Sequence, residues 1–249
     1  MKQASKKLLY NFIQAVVLFA VAVAIWYAAA SIVHSDLILP QPHEVLIITF
    51  SLLGKGSTYL ALLYTLLRAV VAFAVSLAFA VGLTLFTGCY PSGKFVVGAI
   101  VAFLRALPTI AVILITLILF NSFITPIIVA FLVVFPVIFG AFDRTLYHNA
   151  KLMDLCKVYR VKPRKRISLV LLPLIGQDLT AIVKENLPLC IKIVVAGEVL
   201  ALPLAGIGRQ MYAAKVNLDT ANVVALTVLT LAVCFLVNCV TSLIERYKK

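Results

Sequence analysis

Residues 123–142 read FITPIIVAFLVVFPVIFGAF, and residues 143–173 continue as DRTLYHNAKLMDLCKVYRVKPRKRISLVLLP. The first stretch carries no charge over 20 positions, the length an α-helix needs to cross a hydrocarbon core of roughly 30 Å. The second holds eight Lys or Arg residues against two Asp, far too many for lipid. The change at Phe142–Asp143 therefore reads as a helix leaving a membrane. It identifies the chain as an all-α, polytopic membrane protein.

Working outward, six spans can be drawn. The first is about 11–33, after a tail of residues 1–10 with Lys2, Lys6 and Lys7. Its apolar run, Leu8 to Val33, is longer than the roughly 7–15 residues of a signal-peptide core, so an uncleaved span is the better reading. A loop at 34–58 contains Pro40, Pro42 and a mildly amphipathic stretch from Glu44 to Leu53. The remaining spans, within a core of 59–245, are about 60–87, 95–120, 123–142, 177–200 and 222–244. The third is interrupted at Arg105-Ala106-Leu107-Pro108, and a short tail, 246–249, ends the chain.

Composition agrees. Of 249 residues, 63% are hydrophobic and 12% charged, and mean hydropathy is +1.12. A soluble domain carries about a quarter charged residues, so lipid is the natural solvent. The net charge of +13 is not a nucleic-acid footprint, because no soluble module presents it. With six spans both termini share a side. That side holds Lys2, Lys6, Lys7, Lys94, Arg144, Lys151, Lys157, Arg160, Lys162, Arg164, Lys165, Arg166, Arg246, Lys248 and Lys249, against Lys55, Arg209 and Lys215 opposite. Basic residues collect in cytoplasmic loops, so this pattern predicts N-in, C-in. The five cysteines form no CxxC pair, and neither they nor the three histidines suggest a metal site.

The basic segment 143–173 is the most informative. From Asn149 to Tyr159, Ala150, Leu152, Met153, Leu155, Cys156 and Val158 allow a short helix with an apolar face. Lys162-Pro163-Arg164-Lys165-Arg166 then breaks it. Two readings stay open on composition alone: a loop resting on anionic headgroups, or a helix held in the groove of a cytoplasmic partner.

Asp154-Leu155-Cys156, Arg160 six positions after Asp154, and Val170-Leu171-Leu172-Pro173 after nine more resemble the EAA loop of ABC-importer permeases. That motif is Glu-Ala-Ala, three residues, Gly, nine residues, then Ile-x-Leu-Pro. Leu155 and Cys156 replace the paired Ala, and Arg160 stands where Gly turns the chain. Gly adopts φ > 0 at little cost and Arg does not, which puts the elbow's geometry in question. Four further matches follow in order. Leu39-Pro40-x-Pro42-x-Glu44-Val45 looks like the entry signature of the sulfonate, nitrate and thiamine-precursor branch, and Thr65-Leu66-Leu67-Arg68 with Gly82-Leu83 its second span. Arg105-Ala106-Leu107-Pro108 is similar to its Arg-x-Ile-Pro kink, and Lys184, Glu198 and Gly206-Ile207-Gly208 to the end of its fifth span. The resemblance covers about residues 37–245.

The resemblance implies an ABC type I importer permease fold with a cytoplasmic coupling helix, in a bacterial inner membrane. It implies pairing with a second permease copy or paralogue, docking on ATP-binding-cassette ATPase subunits, and substrate delivery by an extracytoplasmic binding protein. The coupling residues would be Leu152, Asp154, Leu155, Cys156, Arg160 and Pro173. The chain has no GxxxxGK[ST] phosphate loop, so the expected role is a non-catalytic subunit with no cofactor of its own, moving a small organic or oxyanion solute.

Ionisable groups at bilayer depth are expensive unless paired or wet, which makes Glu185, Lys192 and Glu198 pathway or gating candidates, with Arg105 and Pro108. Glu185 and Lys192 stand two turns apart on one face, so Lys192 either lines a pathway or pairs with Glu185. Glu198, near the outer end of its span, is expected to cap or pair locally. Arg68 is expected to snorkel outward, and Arg105 to bond carbonyls freed by the Pro108 kink. A stand-alone secondary transporter or channel using Glu185, Lys192 and Glu198 is the alternative, although no internal repeat of the kind such transporters show is evident.

Overall fold

The computed structural model describes residues 2–35 and 37–247. Lys248 and Lys249, counted above for orientation, lie outside the described residues, as do the side chains of Lys2, Lys6, Lys7 and Arg246. The described chain is helical, with no strand. Its helices are α1 (Lys2–Val33), α2 (Pro42–Leu53), α3 (Gly56–Cys89), α4 (Lys94–Ala106), α5 (Thr109–Leu119), α6 (Thr125–His148), α7 (Ala150–Val158), α8 (Pro163–Arg166), α9 (Leu172–Ala201), α10 (Ile207–Val216) and α11 (Thr220–Tyr247). Five helical segments are long and apolar enough to cross a membrane, or six if α4 and α5 form one broken span.

That break is the main departure from the expected third span. Leu107 and Pro108 are both extended, with ψ of 127° and 124°; for Leu107 the cause is the following proline, which pushes the residue before it out of the α region. The helix axis turns by 95°, a near right-angle corner and not a kink. Other boundaries shift too. Helix α1 begins at Lys2, within the expected tail, and α6 runs through Asp143 to His148, two turns into the basic segment. The expected break in the helix falls just before Pro163, at 159–162, and that proline starts the next helix, at a position where its missing N–H is no loss. From there α8, a π-turn at Ile167–Leu171 and α9 are continuous as far as Ala201.

The chain forms two compact units. In the first, residues 1–56 and 211–229, Trp26 Nε1 donates to the Pro40 carbonyl at 3.2 Å and the Tyr27 ring stacks on His43. The Thr220 hydroxyl donates to the Leu37 carbonyl. Helix α10 closes at Leu218, whose φ is 56°, and Asp219 caps the start of α11 through the Asn222 N–H at 2.9 Å.

The second unit, residues 57–210 and 230–249, holds the main core. One stripe of α3, comprising Thr65, Arg68, Ala69, Ala72, Ser76, Ala80, Thr84 and Thr87, is buried throughout. Its residues are mostly small, which lets backbones approach closely, as helices in lipid require. The Cys190 thiol of α9 reaches the Ala69 carbonyl at 3.3 Å. The hydroxyls of Ser76 and Thr84 are satisfied within the helix by the carbonyls four residues back, both at 2.7 Å. Helices α6 and α9 approach closely at Gly197, where a Cβ would lie 3.1 Å from the Pro126 backbone.

Candidate functional site

Two polar clusters stand at opposite ends of the second unit. They are separated by the 20 residues of α3 between Arg68 and Gly88, about 30 Å of helix.

The first cluster centres on Glu198, fully buried three residues before the end of α9. Its Oε1 accepts from Arg68 Nη1 at 2.6 Å, and its Oε2 from the Gly208 N–H at 3.0 Å. The Thr65 hydroxyl lies 3.0 and 2.9 Å from the two oxygens and accepts in turn from the Ile207 N–H at 3.0 Å. Arg68 is 1% exposed, and its Nη1 also donates to the Ala205 carbonyl at 2.7 Å. The guanidinium stacks on Phe123, 4.9 Å from the ring centroid. Two glycines make the closure possible. A Cβ on Gly206 would lie 2.5 Å from the Glu198 carboxyl, and one on Gly208 would lie 2.6 Å from Glu198 Cβ. The loop backbone thus lies directly on the carboxylate.

This corrects two expectations. Arg68 does not snorkel; it turns inward to a partner 130 positions away. Glu198 does not merely cap its own helix; it ties α3, α9 and the following loop together. A buried carboxylate bonded to three fixed donors, one of them a guanidinium, is a structural pin poorly placed to serve a passing ion.

The second cluster is built on α7 and its elbow. Helix α7 buries Met153 and Cys156 and presents Leu152, Leu155, Val158 and Tyr159 outward, the last two about three-quarters exposed. Asp154 pairs with Lys157 at 2.9 Å on the solvent side. Arg160 has φ = +49°. Its N–H donates to the Lys157 carbonyl at 3.0 Å, and the Val161 N–H to the Cys156 carbonyl at 2.9 Å. These two bonds are those of a Schellman closure with the left-handed residue at Arg160. The elbow questioned on sequence grounds keeps the conformation glycine would take, at a strain of about 1–2 kcal/mol. Pro173 lies in the first turn of α9, just after the π-turn.

Below α7 is a cavity of about 170 Å³, lined by Gly88, Lys94, Met153, Asp154, Lys157 and Arg166, among others. Arg166 is 7% exposed. At this end Lys94 pairs with Asp143 at 2.9 Å and the Thr145 hydroxyl donates to Asp178; Lys184, near the middle of α9, pairs with Glu245 at 3.8 Å.

The other candidates separate. Glu185 and Lys192 are exposed and line an open cleft of about 560 Å³ with Lys184, Pro188, Leu189, Phe235 and Asn238. Seven residues of helix rise about 10.5 Å, whereas side chains meet at spacings of three or four. Of the two readings of Lys192, the ion pair with Glu185 is accordingly not formed. Arg105 does bond a backbone carbonyl, but not one freed by Pro108: Nη2 reaches the Pro136 carbonyl of α6 at 2.5 Å. The absence of a side chain at Gly140 leaves room for it. Sequence reasoning missed the long-range role of Thr65 and Arg68, and it missed Arg166 altogether. A signal existed for the first pair, since six spans put the start of the second and the end of the fifth on one side. None distinguished Arg166 from Arg164 and Lys165 beside it.

Compared with known proteins, the chain matches no family model and no curated protein.

Proposed function

We propose that this chain is the transmembrane permease subunit of a bacterial ABC importer. It forms half of the pathway for a small organic or oxyanion solute in the inner membrane, with both termini in the cytoplasm. It takes its motion from ATP-binding-cassette subunits and hydrolyses nothing itself. The observation that carries the reading is the left-handed Arg160 at the EAA-loop glycine position. A short helix precedes it, presenting Leu152, Leu155 and Tyr159 at spacings of three and four residues, an apolar ridge suited to a groove. The nine-residue step then reaches Val170-Leu171-Leu172-Pro173, within the 39-residue apolar helical stretch Pro163–Ala201. On this reading an extracytoplasmic binding protein delivers the solute and a second permease copy or paralogue completes the pathway.

The rival reading, a stand-alone transporter, draws support from the open cleft at Glu185 and Lys192. It loses Glu198, whose carboxylate is already bonded by Thr65, Arg68 and Gly208. Affinity purification of the tagged chain from its native host decides between them. The importer reading expects an ATPase subunit to co-purify, and Leu155→Asp to release it while leaving the permease folded. A chain that brings down no ATPase, with uptake indifferent to Asp154→Lys, sinks the importer reading.

A further inference from the structure

The cavity beneath α7 contains an arginine without a counter-ion. Arg166 is more than nine-tenths buried, yet among the described residues its guanidinium meets no carboxylate. Nη2 donates only to the Met153 sulfur at 3.5 Å, a weak acceptor, and Nε donates to nothing. The carboxylate in the lining, Asp154, is held by Lys157 at 2.9 Å. Lys94, the third cation of the lining, is held by Asp143. Three cations and one carboxylate therefore surround the space, and the most buried cation is the unpaired one. A buried charge persists only when paired, hydrogen-bonded or solvated. The cavity is large enough for about five water volumes, room for a tetrahedral oxyanion with part of its hydration.

We infer that this cavity is a binding site for one phosphate-type oxyanion, held by Arg166 with Lys94 and Lys157 at its rim. Arginine is the side chain best shaped for such a group, because its fork offers several N–H donors in one plane. The bound anion would join α7, the Arg166 turn and the end of α3, whose Gly88 lines the same space. It would therefore stiffen the elbow on which α7 turns. The inference needs only the cavity and its charges, and stands apart from any transport role. Two sources carry the same chemistry: a free anion of the aqueous phase, and the phosphodiester of an anionic lipid headgroup at the membrane surface.

The test uses the full-length chain in nanodiscs. Inorganic phosphate is titrated in phosphatidylcholine discs against wild type and Arg166→Gln, and retained lipid is measured by native mass spectrometry in discs containing phosphatidylglycerol. Saturable phosphate binding that weakens about tenfold or more in Arg166→Gln, the loss of one charge-assisted contact, supports the site with a free anion as ligand. Phosphatidylglycerol retention that depends on Arg166, without phosphate binding, supports it with a lipid headgroup as ligand. Lys55→Gln, which removes an exposed cation far along the chain, should change neither. If Arg166→Gln does not fold, Lys94→Gln and Lys157→Gln replace it, each expected to weaken binding several-fold. Neither probe distinguishing wild type from the cavity variants overturns the inference.

Discussion

Arg68 and Arg166 are both buried arginines, one more than three turns into α3 and one at the end of α8, and they are solved in opposite ways. Arg68 has a carboxylate at 2.6 Å, a carbonyl at 2.7 Å and an aromatic face. Arg166 has a thioether sulfur and a cavity. The first cluster is closed on its charges: the Glu198 carboxylate and Arg68 Nη1 find each other within the chain, although Arg68 Nε, like Arg166 Nε, has no acceptor, and the loop glycines let backbone fill the space a ligand would need. The second is open and left to be completed. A closed network fixes a geometry, whereas an open one responds to what fills it. The pinned end is therefore closed to a ligand and the α7 end open to one.

The largest expected effect breaks the closed cluster. Glu198→Leu leaves the Arg68 charge buried and unpaired, and Arg68→Met leaves Glu198 so. Each single variant should lose about 3–5 kcal/mol, and the double variant should recover most of it, because apolar replacement of both partners is often neutral. A double-mutant cycle by reversible denaturation in mixed micelles measures the coupling. Additive losses would mean that the pair contributes nothing together.

Next come the glycines. Gly206→Ala and Gly208→Ala push a methyl into the Glu198 carboxyl and its Cβ, and overpacking of this kind costs typically 1–3 kcal/mol. The same denaturation reads it. Gly82→Ala, where nothing lies within 4 Å, is the matched control and should be neutral or slightly stabilising, since α3 is helical there.

The open cluster predicts the contrary sign. Arg166→Met in buffer free of phosphate and sulfate should cost less than about 1 kcal/mol, or stabilise, because it deletes an unpaired buried charge and not a partner. A loss as large as that of Arg68→Met would mean the guanidinium has a counter-ion within the chain after all, and the contrast between the two arginines would collapse.

Much of this was legible in the sequence, and the limits have physical causes. Apolar length located the membrane-crossing helices, since bilayer thickness dictates it. The apolar positions Ala150, Met153 and Val158, with Leu152, Leu155 and Cys156, placed a helix over 149–159, within a residue of the observed start and end of α7. The right-angle turn at Leu107-Pro108 was not legible: proline announces a break, but the angle depends on what α5 packs against. Nor was the Arg68–Glu198 pair, because 130 intervening residues carry no local sign of it. Arg166 differs from Arg164 only in which way its helix face points, and a single turn of α8 is too short for periodicity to tell.

The smallest effect tests the elbow itself. Arg160→Gly should stabilise the protein by about 1 kcal/mol at most: it relieves the left-handed strain of a residue with a Cβ, and part of that gain returns as unfolded-chain entropy. The side chain is exposed, so little contact is lost with it. Arg160→Val goes the other way, since a β-branched residue tolerates positive φ least. A rank order of Gly, Arg, Val in denaturation midpoint is the expected result. If Gly proves no better than Arg, the Arg160 side chain must be making a contact worth as much as the strain. The elbow would then owe its shape to that contact, and not to the two backbone bonds that close α7.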